Sequence, residues 1–172
     1  MKYLFNSVTN CFLITLMASC SSNDIALKGK DLYPDSSTVI KYQPEWHKTL
    51  YNPKIIEFKN NPIGFDKIVF LGNSITQGMR YYNHKLKSSN IVNRGISGDY
   101  TDGVLARLKE IIYYKPKAIF LLIGVNDLFE DNRSRPERTP EYVANNIFLI
   151  FDLINKKSPN TQIFIQTIIP NK

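Results

Sequence analysis

The chain has 172 residues, 43% hydrophobic and 22% charged, with 22 Lys and Arg against 15 Asp and Glu for a net charge of +7. That length holds one domain of ordinary size plus a leader, and the composition excludes disordered and low-complexity classes. The basic residues are scattered, with no run of five or six, so the charge reads as a solvated basic surface and no nucleic-acid partner is expected.

At the amino terminus, Met1 and Lys2 give a short positive start, and Cys11 to Ala18 form an apolar run too short to span a bilayer. Leu16-Met-Ala-Ser-Cys20 places small residues directly before a cysteine. This predicts a lipoprotein signal peptide over residues 1–19, with Cys20 as the lipidated first residue of the mature chain. Cys11 leaves with the leader and Cys20 carries lipid, so neither a disulfide nor a cysteine metal site is expected. The expected location is the bacterial cell envelope, extracytoplasmic and attached to the membrane through the lipid. Residues 20–45 read as a tether, polar at Ser21-Ser-Asn-Asp24 and rich in turn formers over 31–37; residues 46–172 read as the folded domain.

Within that domain, residues 46–58 fit an amphipathic helix interrupted by Pro53, and Pro62 with Gly64 breaks the chain before the first strand. Residues 68–71 form that strand, Gly72 turns the chain, and Ser74 sits in the turn. A short second strand is expected at 91–92, a third at 118–123 and a fourth at 163–169. Their nearly continuous apolar runs suit a parallel sheet covered on both faces. Between them, Val104, Leu105, Leu108, Ile111 and Ile112 mark one face of a helix, with Thr101 or Asp102 as its cap. Thr139-Pro-Glu141 opens another helix, which Val143, Ile147, Ile150, Phe151 and Ile154 continue and Ser158-Pro159 ends. The alternation predicts an α/β fold, a three-layer α/β/α sandwich with a parallel sheet and right-handed crossovers.

Three loops follow the carboxyl ends of strands, at 72–76, 93–101 and 124–127, and in an open parallel sheet such loops converge on one crevice. Acyl transfer needs a nucleophile and hydrogen-bond donors aimed at the developing oxyanion. Ser74 offers the nucleophile; the Gly98 N–H and the Asn126 amide offer the donors. The segment 72–78 lacks the Gly-Lys-Ser/Thr ending of a phosphate-binding loop, and no His, Asp or Glu cluster has metal-ligand spacing, so no cofactor or metal is called for.

Gly-Asn-Ser-Ile-Thr at 72–76, Ile-Ser-Gly-Asp at 96–99 and Gly-Val-Asn-Asp at 124–127 resemble, in order, three blocks of the SGNH or GDSL-type serine hydrolases. The resemblance implies a flavodoxin-like fold, hydrolysis of carboxylic esters without a cofactor, Ser74 as nucleophile, and Gly98 and Asn126 as oxyanion donors. The Asp of the first block is Asn73 here. The base implied by the resemblance, a His preceded three residues earlier by an Asp, has no counterpart: Pro44 stands three residues before His47, and Tyr81 three before His84. Both histidines are expected to be surface or packing residues, and Asp99, Asp102 and Asp127 to stabilise turns and cap helices. The chain is therefore expected to be a truncated form of a longer hydrolase, missing a last strand and helix. Its expected partner is a small ester, with acetylated carbohydrate and lysophospholipid-like esters as candidates. The other function considered is an inactive remnant or a glycan- or lipid-binding module.

Overall fold

The computed structural model describes residues 32–79, 90–129 and 138–167. The expected signal peptide, Cys20 and His84 lie outside the described residues. Helix α1 (Glu45–Asn60) precedes strand β1 (Ile68–Gly72), which runs into the short helix α2 (Ser74–Gly78). Strand β2 (Ile91–Gly95) is followed by helices α3 (Thr101–Ala106) and α4 (Leu108–Tyr114) and strand β3 (Ala118–Leu122). Helix α5 (Pro140–Lys157) leads to β4 (Gln162–Ile165).

The four strands form one parallel sheet in the order β2-β1-β3-β4. This is the expected α/β architecture, a parallel sheet flanked by helices. The chain moves from β1 outward to β2, then crosses back over β1 to β3 and on to β4. The connections leaving β1 and β3 thus run in opposite directions, and that reversal opens a crevice at the carboxyl ends of these two neighbouring strands. Ser74 follows β1 and Asn126 follows β3, so the topology brings both to the crevice.

The period-2 alternation of the strands divides their side chains between two faces. Val69, Leu71, Ile119 and Leu121 join Val104, Leu108 and Ile111 of the α3–α4 segment and Ile150 and Ile154 of α5 in one buried cluster. Full burial of such a side chain contributes roughly 1.5–3 kcal/mol, which makes this cluster the main stabilising contact of the sheet. The other face carries Phe70, Phe120 and Phe164 in register across β1, β3 and β4, their rings nearly parallel with centroids 5.0 and 4.8 Å apart. A second cluster joins Ile40 to Tyr51, Ile55 and Phe58 of α1 and to Ile96, just past β2. There the Tyr51 hydroxyl donates to the Gly103 carbonyl at 2.9 Å and ties α1 to α3.

Four elements differ from expectation. Strand β2 runs to Gly95 and includes Asn93 and Arg94, whose polarity conceals it from an apolar pattern. Arg94 is nevertheless buried, because Glu110 of α4 receives its Nε and Nη2 donors, both at 2.9 Å. The helix expected after residue 101 is two helices, broken at Arg107 (φ −110°, ψ 15°). Strand β4 is shorter than the expected 163–169; residues beyond 167 lie outside the described range. Helix α5 begins as expected, with the Thr139 hydroxyl accepting the Tyr142 N–H at 3.2 Å and Pro140 in the first turn. Pro53 does not end α1, which continues to Asn60.

Candidate active site

The first loop starts where β1 ends. A Cβ on Gly72 would run into the Leu122 carbonyl and the Thr76 hydroxyl, so the turn takes the residue without a side chain. Asn73 is fully buried and caps α2, its Oδ1 accepting the Ile75 N–H at 3.0 Å. An asparagine oxygen makes this bond as an aspartate oxygen would, which is the physical reason that Asn73 serves here. Ser74 follows it and is exposed at the head of α2.

The second loop is held against the first. The Ile96 N–H donates to the Gly72 carbonyl at 3.0 Å, and the Ser97 N–H donates to Gln77 Oε1 at 2.7 Å. Gly98 then takes φ +75°, in the left-handed region that glycine adopts without strain. The third loop joins the second through Asn126, whose Nδ2 donates to the Asp99 carbonyl at 2.9 Å. Asp127 accepts both the Thr101 N–H, at 3.1 Å to Oδ2, and the Thr101 hydroxyl, at 2.7 Å to Oδ1. The cap of α3 is therefore supplied by the third loop. Thr101 and Asp102, the expected caps, lie inside the helix behind Tyr100, and Asp102 instead accepts the Tyr142 hydroxyl of α5 at 2.8 Å. The structure thus brings the loops of Ser74, Gly98 and Asn126 together at the crevice.

The residue that binds these loops most extensively was not anticipated from the sequence. Arg107, at the break between α3 and α4, is 4% exposed. Its Nε and Nη2 donate to Asp99 Oδ2 at 3.1 and 2.7 Å, its Nη1 to the Arg94 carbonyl at 2.8 Å, and its Nη2 to the Gly72 carbonyl at 3.2 Å. One planar guanidinium thereby fixes the end of β1, the end of β2 and the second loop. A lone arginine among Val104, Leu105, Leu108 and Ile111 is the signal that could have pointed to it.

His47 is a packing residue, one of the two expected alternatives, and it is not at the surface. It is fully buried, with Nδ1 2.9 Å from Gln43 Nε2 and Nε2 3.6 Å from Asp99 Oδ1, between the rings of Tyr51 and Tyr100. Burial pushes the Asp99 carboxyl up to about 6, against the pull of Arg107, and also raises Asp127. A carboxyl raised on folding keeps a proton that the unfolded chain releases. Its contribution to stability is fully present below the unfolded-state value and is lost as pH rises through the folded-state value. Urea midpoints are therefore expected to fall between about pH 4 and pH 6.5, with a shallower fall in Asp99→Asn; equal slopes in the two proteins would refute this.

Residues 70–172 match the GDSL-like Lipase/Acylhydrolase family. The chain belongs to that family. It is 34% identical over 108 residues to platelet-activating factor acetylhydrolase IB subunit alpha2 of Rattus norvegicus, covering 60% of this chain and 44% of that protein. The chain thus spans less than half the length of this curated relative. Among solved structures, a Streptococcus pneumonia protein described as a platelet activating factor superposes with a TM-score of 0.60 at 27% identity, over 73% of this chain and 57% of that one. A GDSL-like lipase from Bacteroides thetaiotaomicron superposes with a TM-score of 0.56 at 24% identity, over 70% of this chain and 58% of that one, and shares the fold. The sheet from Phe70 onward, with all three strand-end loops, falls inside the GDSL-like match. Among the described residues, no group of three His, Cys, Asp or Glu is arranged to hold a metal ion.

Proposed function

We propose that this GDSL-like chain carries the attacking and anion-holding part of a serine ester hydrolase. The Ser74 hydroxyl attacks the ester carbonyl and gives its proton to a base; the Gly98 N–H and the Asn126 amide, with the Ser74 N–H, receive the oxyanion. Its collapse breaks the ester C–O bond, the alcohol leaves with that proton, and water then hydrolyses the acyl-Ser74 ester to release the acid and restore the hydroxyl. The observation that carries this reading is the mutual bonding of three strand-end loops at the topological switch point, with Ser74 exposed among them. The substrate we favour is a small ester, an acetylated carbohydrate or a lysophospholipid-like molecule, in keeping with an acetylhydrolase among the relatives. The chain acts extracytoplasmically in a bacterial envelope, anchored through lipid on Cys20 after removal of residues 1–19.

The second reading is a binding module or remnant without turnover. It draws on His47, which is engaged with Gln43 and Asp99 in the interior, so that a base for Ser74 must come from elsewhere. The test compares p-nitrophenyl acetate hydrolysis by the longest reading frame containing this chain with its Ser74→Ala variant. Turnover is expected to drop to background in the variant. A folded protein whose turnover survives Ser74→Ala, or that has none, overturns the hydrolase reading. Intact mass of the membrane-extracted protein, with and without Cys20→Ala, tests the anchor separately.

A further inference from the structure

Trp46 is the only tryptophan in the chain. It is 53% exposed, yet its six-membered ring lies against the second loop: a Cβ built on Gly98 would come 2.8 Å from Cζ3 and 3.0 Å from Cη2. The indole is braced on its inner side. His47 meets it edge-on with centroids 5.8 Å apart, and Tyr100 does so at 6.3 Å. His47 is itself fixed by Gln43 and faces Asp99, so the brace is continuous with the network that positions Gly98. The result is a braced apolar surface, open on its outer side, directly beside a proposed oxyanion donor.

A braced aromatic ring beside polar loops suits the apolar part of a ligand held by those loops. The other two loops carry the same feature. Ile75 follows Ser74 and is 50% exposed, and Leu128, two residues after Asn126, is 46% exposed. Each proposed catalytic group therefore has an open apolar neighbour. Trp46 differs from the other two in coming from α1, an element outside the three loops and outside the family match.

We propose that Trp46 is a substrate-contacting, specificity-determining residue, its indole forming the wall of the ester site beside Gly98 and packing against the alkyl part of the bound ester. This rests on the reading of Ser74, Gly98 and Asn126 as that site. Affinity then rises with alkyl length, by about twofold per methylene, because a single wall covers only part of each added group.

The test uses the isotopically labelled full chain carrying Ser74→Ala, which binds without turnover. Ethyl acetate and ethyl butyrate are titrated while the Ile75 and Asn126 amide resonances report on the loops, and the Trp46 indole N–H and its emission report on the wall. All signals are expected to move with one half-saturation point, ethyl butyrate binding about fourfold tighter than ethyl acetate. Adding Trp46→Ala is expected to erase that preference, and Trp46→Phe to retain it. Loop amides that shift while the indole stays still, or a preference that survives Trp46→Ala, overturn the proposal. Loop amides that shift with neither ester overturn the ester site itself, and the wall with it.

Discussion

Replacing Arg107 by leucine is expected to lower the unfolding free energy by about 3–5 kcal/mol, the cost typical of removing one partner from a buried ion pair. The magnitude follows from what the substitution leaves behind. Asp99 is fully buried, and Arg107 is its salt-bridge partner. Without the guanidinium, the buried Asp99 carboxyl loses its cationic partner while still accepting the Tyr100 N–H, and the Gly72 and Arg94 carbonyls each lose a donor. Loss of the pair dominates, since each carbonyl bond contributes only about 1 kcal/mol net. Urea denaturation followed by far-ultraviolet circular dichroism measures the effect. Arg107→Lys should recover only part of it, because an ammonium cannot reproduce the planar fork that reaches three segments. The double variant Arg107→Leu with Asp99→Asn should lose less than the two single changes summed, as the orphaned charge is then gone. A loss below about 1 kcal/mol for Arg107→Leu would show that the network does not hold the loops.

After Ser74 itself, the largest expected effect on chemistry belongs to Asn126. Asn126→Ala is expected to reduce kcat by about 10²–10³-fold, the usual cost of one oxyanion donor, with KM nearly unchanged. The comparison is made on Ser74-dependent turnover in the longest reading frame containing this chain. Because Asn126 Nδ2 also donates to the Asp99 carbonyl, the variant should lose about 1 kcal/mol of stability as well. That loss is too small to unfold an ordinary domain, so the two effects separate cleanly. Asn126→Asp is the sharper probe: it preserves size but places negative charge at the proposed oxyanion position. A variant that raises KM and leaves kcat intact would make Asn126 a ground-state binding group instead.

The placement of the candidate site was largely legible because chemistry and backbone geometry coincide over short segments. The apolar runs at 68–71 and 118–123 require strands, and the residues just past the observed strands stand at the sheet's carboxyl edge whatever covers its faces. The start of α5 was equally legible, since Thr139, Pro140 and Glu141 act on their own helix. Strand β2 was legible only in part, since Asn93 and Arg94 are polar and their partners lie elsewhere in the chain. Arg94 is satisfied by Glu110, and Asn93 donates to the Thr76 carbonyl at 2.6 Å. The cap of α3 was misplaced for the same reason: Asp127, 26 residues beyond Thr101, outcompetes the local candidates.

By itself, then, the amino-acid sequence determined the alternation of strands and helices, the position of Ser74 at a strand end, and the order of the blocks that carry Gly98 and Asn126. These follow from local periodicity and turn chemistry, which act over a few residues. Tertiary structure alone decided what holds those groups in place. Arg107 reaches the Gly72 carbonyl across 35 residues of sequence, Asp127 caps a helix it does not belong to, and α1 sets Trp46 and His47 against Gly98. A polar side chain joins such a network only when folding buries it beside a partner from a distant segment, and no local pattern encodes that pairing.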